Sequence, residues 1–243
     1  GRASAMISAG NTGATMGAAL LRMGRIKGVK RPAIATPLPV PSGGHTVLLD
    51  AGANAECQPE WLLQFAQMGA AYAHARYGTA DPRVGLLSIG EEPGKGDTLR
   101  KEAHELLVAD GVFAASGGHF VGNVEGRDLL TGGVDVVVTD GFTGNVALKT
   151  LEGGMKALVS RLLEAFDATD DTRAAAEVLM PELLPLYATL DPENTGGAML
   201  LGVDGVCIIS HGSSGPTAVV NAAQVARDLV AGDVVAALAA AVA

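Results

Sequence analysis

The chain has 243 residues, with 33 glycines and 11 prolines in no regular period, which excludes collagen and falls short of low-complexity disorder. Hydrophobic residues make up 48% and charged residues 18%, enough apolar surface for a sizeable core of one α/β domain. Acidic residues outnumber basic ones 26 to 17, giving a formal net charge of −9 that argues against a general affinity for nucleic acid.

Two cysteines, Cys57 and Cys207, without CxxC spacing point to a reducing cytoplasm. No run reaches the ~20 apolar residues of a spanning helix. The chain starts on Gly1 and enters a strand-like stretch almost at once, the pattern of a chain entered in mid-domain.

In chain order, residues 4–8 read as a strand, followed by the loop 9–13 and a buried helix over 14–23. Residues 32–39 and 46–50 are strands separated by the turn residues Ser42, Gly43 and Gly44. A long helix is expected over 59–77, with Pro59 at its start. Residues 83–89 form a strand, 90–96 a glycine loop and 97–109 a helix with an N-terminal carboxylate. A short strand starts at 120–121, and 134–139 is a continuous β-branched strand. The loop 140–145 then turns into a helix over 146–166. Residues 167–194 break the rhythm and read as an excursion from the sheet, a helical hairpin. Residues 206–210 form a strand, and 211–215 open a helix over 216–230. Short apolar strands alternating with helices predict a doubly wound, mostly parallel α/β sheet, taken as one domain over 1–243. In such folds ligands sit at the carboxyl ends of strands.

Four strand-loop-helix junctions share one design: 8–13, 90–97, 140–145 and 211–215. Glycines admit close backbone approach, the following helix offers unpaired N–H groups, and Ser, Thr or Asn add donors that suit an anion. None fits GxxxxGK[ST] or a full GxGxxG, but four on one edge of one sheet predict a single anion-binding crevice. His211, at a strand end, reads either as a proton donor or anion ligand, or as a cap of its turn. Lys149, one turn past Asn145, reads either as reaching a bound anion or as a solvated helix lysine. Lys95, between two glycines, favours anion contact. Asp140 either orients a donor or caps the helix after it. The 212–215 stretch lacks the GxSxG elbow, so serine-hydrolase chemistry is not expected, and no cluster has metal-ligand spacing.

On these residues and longer motifs the chain resembles the bacterial acyl-ACP:phosphate acyltransferases of phospholipid synthesis, the PlsX family. The resemblance runs along essentially the whole chain. It rests on SAGNTGA at 8–14, LDAGAN at 49–54 with Cys57, Pro59 and Glu60, and GLLSIGEE at 85–92 with Gly94, Lys95 and Gly96. It continues through FVGNVEGRD at 120–128, DGFTGNVALK at 140–149, Gly196 to Ala198 with Leu200 to Gly202, and ISHGSS at 209–214.

The resemblance implies a fold like the isocitrate and isopropylmalate dehydrogenases and phosphotransacetylase. It implies transfer of a fatty acyl group from acyl carrier protein to inorganic phosphate, no cofactor, a homodimer, and a cytoplasmic protein with or without peripheral contact to the inner membrane. On that basis Asn11, Thr12, Gly13, Gly144 and Asn145 cradle phosphate, Lys149 neutralises it, and His211 with Ser213 and Ser214 polarises the carbonyl or protonates the leaving group. Lys95, Gly96, Asn123, Glu125 and Asp140 complete the expected substrate set, with no metal. The family's opening strand and its Asp-Ala-Met-Gly-Gly-Asp loop are not present in this chain. In the excursion, Leu179, Met180, Leu183, Leu184, Leu186 and Tyr187 lack flanking basic residues, leaving lipid contact, core packing and dimer packing open. Arg22, Arg25, Lys27, Lys30 and Arg31 form the one dense basic stretch, suited to an acidic carrier or simply solvated. The alternatives are a phosphate acetyltransferase-like enzyme using coenzyme A and an inactive scaffold.

Overall fold

A computed structural model describes residues 3–190, 192–210, 212 and 214–243. The elements in chain order are β1 (Ala5–Ser8), α1 (Thr12–Arg22), β2 (Ala33–Pro39), β3 (His45–Leu49), α2 (Pro59–Tyr77), β4 (Arg83–Leu87), α3 (Thr98–Leu107) and β5 (His119–Val124). They continue with β6 (Val136–Val138), α4 (Gly141–Phe166), α5 (Asp170–Leu190), β7 (Ala198–Leu201), β8 (Val206–Ile209), α6 (Pro216–Ala231) and α7 (Val234–Ala241).

The strands form one eight-stranded sheet in the order β1-β8-β7-β2-β3-β6-β4-β5. β3, β6, β4 and β5 are mutually parallel, and β1 is parallel to β8. The pairs β2/β3, β2/β7 and β7/β8 are antiparallel, so the sheet is mostly parallel but mixed. The α/β architecture agrees with the alternation of strands and helices in the sequence. Two elements escape that reading. β7 is four residues without a β-branched side chain, and α7 is an Ala- and Val-rich run whose pattern does not distinguish it from a loop.

Helices cover both faces. On one, Leu62, Phe65, Met68 and Tyr72 of α2 are fully buried against Val47, Leu49, Val84 and Val136, alongside Leu229 of α6 and Leu238 of α7. α2 begins with Pro59 in its first turn, where the missing N–H costs nothing, and ends at Gly78 with φ +69°, the left-handed cap that favours glycine. On the other face lie α1, through Met16 and Leu20, and α4, through Leu148 and Leu151. α4 starts at Gly141, five residues before the expected 146, because Asp140 caps it. Its second half runs on past the sheet as one arm of a hairpin with α5, so 170–190 is a single helix containing Pro181 and Pro185, and not a hairpin by itself. Among the described residues no helix is long and apolar enough to cross a membrane.

The Phe65 side chain has no exposed surface and lies where α2 meets the sheet. Phe65→Ala leaves a cavity there and is expected to lower unfolding free energy by about 3–5 kcal/mol in urea titrations followed by circular dichroism. A loss below about 1 kcal/mol would show that α2 does not anchor the core.

Candidate functional site

At the carboxyl ends of β3 and β6 two buried carboxylates organise the backbone. Asp50 follows β3 and has no exposed surface. It accepts hydrogen bonds from the amides of Ile34 (2.9 Å), Gly52 (3.1 Å), Ala53 (3.0 Å) and Asn54 (2.7 Å), and from Asn54 Nδ2 (2.9 Å). Burial pushes its carboxyl above the usual carboxylate range, and these bonds oppose that rise. Asp140 follows β6 and accepts from the Thr143 amide and the Thr143 hydroxyl, each at 2.8 Å, and from Arg100 Nη2. Burial works to raise the Asp140 carboxyl, but the Thr143 and Arg100 bonds outweigh it and hold it below its ordinary value.

Arg100 is itself buried and spends its guanidinium on Asp97 (3.0 Å), Thr139 Oγ1 (3.1 Å), Thr143 Oγ1 (3.0 Å) and Asp140. Neither Asp50 nor Arg100 was among the expected site residues. Asp50 before Ala-Gly-Ala-Asn carries the signature of an Asx-type turn, whereas nothing in the local sequence marks Arg100 as buried.

Most of the donors at the start of α4 are engaged within the protein. The α4 amides of Gly141, Thr143 and Gly144 are already bonded, to Asn54 O, Asp140 Oδ1 and Asp140 O. At Gly144 a Cβ would lie 1.9 Å from Asp50 O, so glycine is required for α4 to sit on the backbone. Asn145 spends its amide on Ala51 O at 3.2 Å. Lys149 Nζ pairs with Glu152 Oε2 at 2.7 Å on α4. Gly96 has φ +96°, and a Cβ would meet Arg100 Cβ at 2.7 Å, so it too serves packing. Asn123 Nδ2 holds the 90–96 loop through Glu92 O at 2.8 Å. Glu125 caps the turn Gly126–Leu130 and pairs with Arg127. Lys95 is exposed and forms no ion pair with the described residues.

The carboxyl ends of β1 and β8 are different. Asn11 caps α1 by accepting from the Ala14 amide at 3.0 Å, and the amides of Thr12 and Gly13 have no acceptor among the described residues. Ser8 Oγ and Thr15 Oγ1 are bonded at 2.8 Å, and the Gly10 amide donates to Ser8 Oγ at 3.3 Å. Ser210, bonded through its amide to Ser8 O at 2.8 Å, is buried, and its hydroxyl has no partner among the described residues. Ser214 is half-buried at the approach to α6. His211 and Ser213 lie outside the described residues.

The four junctions therefore do not share one edge. Because β1 and β8 run antiparallel to β3, β6 and β4, the 8–13 loop and the end of β8 lie at one end of the sheet and the 90–97 and 140–145 loops at the other. The expected cradle of Asn11, Thr12, Gly13, Gly144 and Asn145 is split between them.

Residues 1–237 match the family described as fatty acid synthesis protein. The chain is 53% identical over 230 residues to the phosphate acyltransferase of Elusimicrobium minutum, covering 95% of this chain and 65% of that one. It is 50% identical over 230 residues to a phosphate acyltransferase of Thermus thermophilus, covering 95% and 68%. The chain thus spans about two thirds of the length of these curated relatives. Among solved structures it is similar to EutD phosphotransacetylase from Staphylococcus aureus, with TM-score 0.62 and 16% identity over 95% of this chain and 64% of that one. A branched-chain phosphotransacylase from Enterococcus faecalis V583 gives TM-score 0.53 and 14% identity, covering 94% and 74%. These likenesses show the fold.

Removing one partner of a buried ion pair strands the other charge. Arg100→Met is expected to destabilise the chain at pH 7 by about 3–5 kcal/mol, measured in urea. Asp140 is held below its unfolded value, so its share of stability is present above the usual carboxylate range and is lost as pH falls through the lowered folded value. The penalty of Arg100→Met should shrink as pH is lowered from neutral into the acid range; an unchanged penalty would exclude the ion pair as its origin.

Proposed function

The chain belongs to the phosphate acyltransferase family, and we propose that it transfers an acyl group from a thioester to inorganic phosphate bound at the N-terminus of α1. The single observation that carries this placement is the pair of amides of Thr12 and Gly13 with no acceptor among the described residues at an eleven-residue helix start, with the unpartnered Ser210 hydroxyl just past β8, the strand paired with β1. Helix N-termini favour anions through free N–H groups and the positive end of the helix dipole. At the start of α4, by contrast, the amides of Gly141, Thr143 and Gly144 are bonded within the protein, as is the nearby Arg100 guanidinium.

The donor in this reading is acyl carrier protein, the protein works as a homodimer on the cytoplasmic side, and peripheral membrane contact through the α4–α5 hairpin is compatible with its exposed Leu158, Leu179, Leu184 and Tyr187. An oxygen of hydrogen phosphate attacks the thioester carbonyl carbon; the C–O bond forms, the C–S bond breaks, and the proton of hydrogen phosphate leaves with the sulfur as the free thiol. The products are an acyl phosphate and a thiol, and charge balances without a cofactor.

The enzyme's task is to hold phosphate near the carbonyl and to stabilise the oxyanion of the tetrahedral adduct. In this account His211, Ser213 and Ser214, which follow Ser210 closely in sequence, supply the donors to the oxyanion or to the departing sulfur. Direct transfer agrees with the cysteines: burial pushes the Cys57 thiol up to about 12 and Cys207 to about 11, so neither is a thiolate nucleophile at neutral pH.

Thr12 occupies the first helical position, and Asn11 before it is extended at φ −64° and ψ 126°, a backbone that accepts a following proline. Thr12→Pro therefore deletes one N–H with little strain. It should raise the KM for phosphate by about tenfold or more, the loss of one hydrogen bond to a charged group, while Thr12→Ala and the melting temperature change little. Phosphate-dependent thiol release is the measurement. An unchanged KM in Thr12→Pro would remove phosphate from this helix.

A further inference from the structure

The 17 basic residues of the chain are unevenly placed, with Arg22, Arg25, Lys27, Lys30 and Arg31 lying within ten residues between the end of α1 and β2. All five are exposed. None is paired with a carboxylate among the described residues, whereas Arg83, Arg100, Arg127, Lys149, Arg161, Arg173 and Arg227 all are. In a chain of formal charge −9 this is a local reversal of sign.

The segment is held in shape by side chains bonded to its backbone. Arg25 Nη1 donates to Lys30 O at 2.6 Å, and Gln64 of α2 accepts from the Lys30 amide at 2.8 Å and donates to Gly28 O at 3.0 Å. The cations therefore stand on a fixed turn. Between this turn and α2 lies a cleft of about 580 Å³ lined by Leu20, Arg25, Lys30, Arg31, Pro32 and Trp61, with the Arg31 guanidinium 4.8 Å from the Trp61 ring centroid. Leu21, 87% exposed, stands next to Leu20 at the end of α1. Arginine and tryptophan together in a recess with an apolar rim are the composition of a binding anchor.

We propose that this basic cleft docks the acidic face of the protein that carries the acyl thioester. The inference rests on the acyl-transfer reading above and adds the surface through which its donor is recognised. Three observations favour a protein over an anionic bilayer. The site is concave, it is built around one aromatic ring, and it sits at the C-terminal end of α1 while the proposed phosphate position sits at the N-terminal end. The eleven residues of α1 separate the two by about 16 Å. A thioester on a flexible arm spans that length, so a carrier docked at one end of the helix delivers its carbonyl to the other. Complementary charge here sets encounter rate and partner choice.

Trp61 is the one tryptophan of the chain, which makes its emission a reporter of this cleft. Titration of the wild-type chain with a tryptophan-free acyl carrier protein in its thiol form should change Trp61 emission saturably. The apparent Kd should rise about tenfold in Lys27→Glu/Lys30→Glu and on moving from low to physiological salt. Phosphate-dependent turnover of an acyl-pantetheine, which has no protein surface, should be the same in both chains. Affinity undiminished in the double variant overturns the proposal. So does an emission change produced by phosphatidylglycerol vesicles or by raising the chain's own concentration instead of by the carrier, which would assign the cleft to a lipid surface or a second copy. Turnover of acyl-pantetheine without carrier binding at the cleft leaves acyl transfer standing and removes the docking site. Carrier binding at the cleft without turnover of any thioester does the reverse.

Discussion

The carboxylate of Asp50 is the constraint on which the centre of this fold depends. A buried charge is tolerated only where donors surround it, and Asp50 has five, three of them amides of the turn it folds, at Gly52, Ala53 and Asn54. That turn presents Asn54 O to the first amide of α4 and Ala51 O to Asn145. The backbone of α4 can then approach only because positions 141 and 144 carry no side chain. Asp50 also bonds the Ile34 amide in β2, joining the parallel half of the sheet to the strand that begins its reversal.

A division of labour follows. The end of the sheet where four parallel strands finish looks by general rule like the ligand end. Here many of its donors are consumed by Asp50, Asp140 and Asn54, and the buried Arg100 by Asp97 and Asp140, while the Ser88 hydroxyl has no partner among the described residues. Polar density at that end secures α3 and α4 against the strands. The end where β1 and β8 finish has fewer polar groups, and there the Thr12 and Gly13 amides and the Ser210 hydroxyl have no partner among the described residues, so a bound anion would find free donors.

Much of the fold was legible because the signals were local. Pro59 and Gly78 bracket α2, the run of valines marks β6, and Asn11 and Asp97 cap α1 and α3 as their residue types suggest. The site was less legible because the decisive facts are non-local. Nothing in the sequence signals that β2/β3, β2/β7 and β7/β8 all pair antiparallel, yet those pairings together place the end of β8 opposite the 140–145 loop. Glycines at 141 and 144 look the same whether they clear space for a phosphate or for another strand's carbonyl, and only the position of Asp50 distinguishes the two. For Lys149 a local signal does exist: Glu152, three residues on, stands at the spacing of a helical ion pair, and the two side chains form it.

The central claim, that phosphate binds where α1 begins and not where α4 begins, is tested most directly by amide chemical shifts. In 1H–15N spectra of the chain titrated with inorganic phosphate, the account predicts saturable movement of the Thr12 and Gly13 amides with those of Gly141, Thr143 and Gly144 unmoved. Saturable movement of the α4 amides with Thr12 and Gly13 unaffected would contradict it.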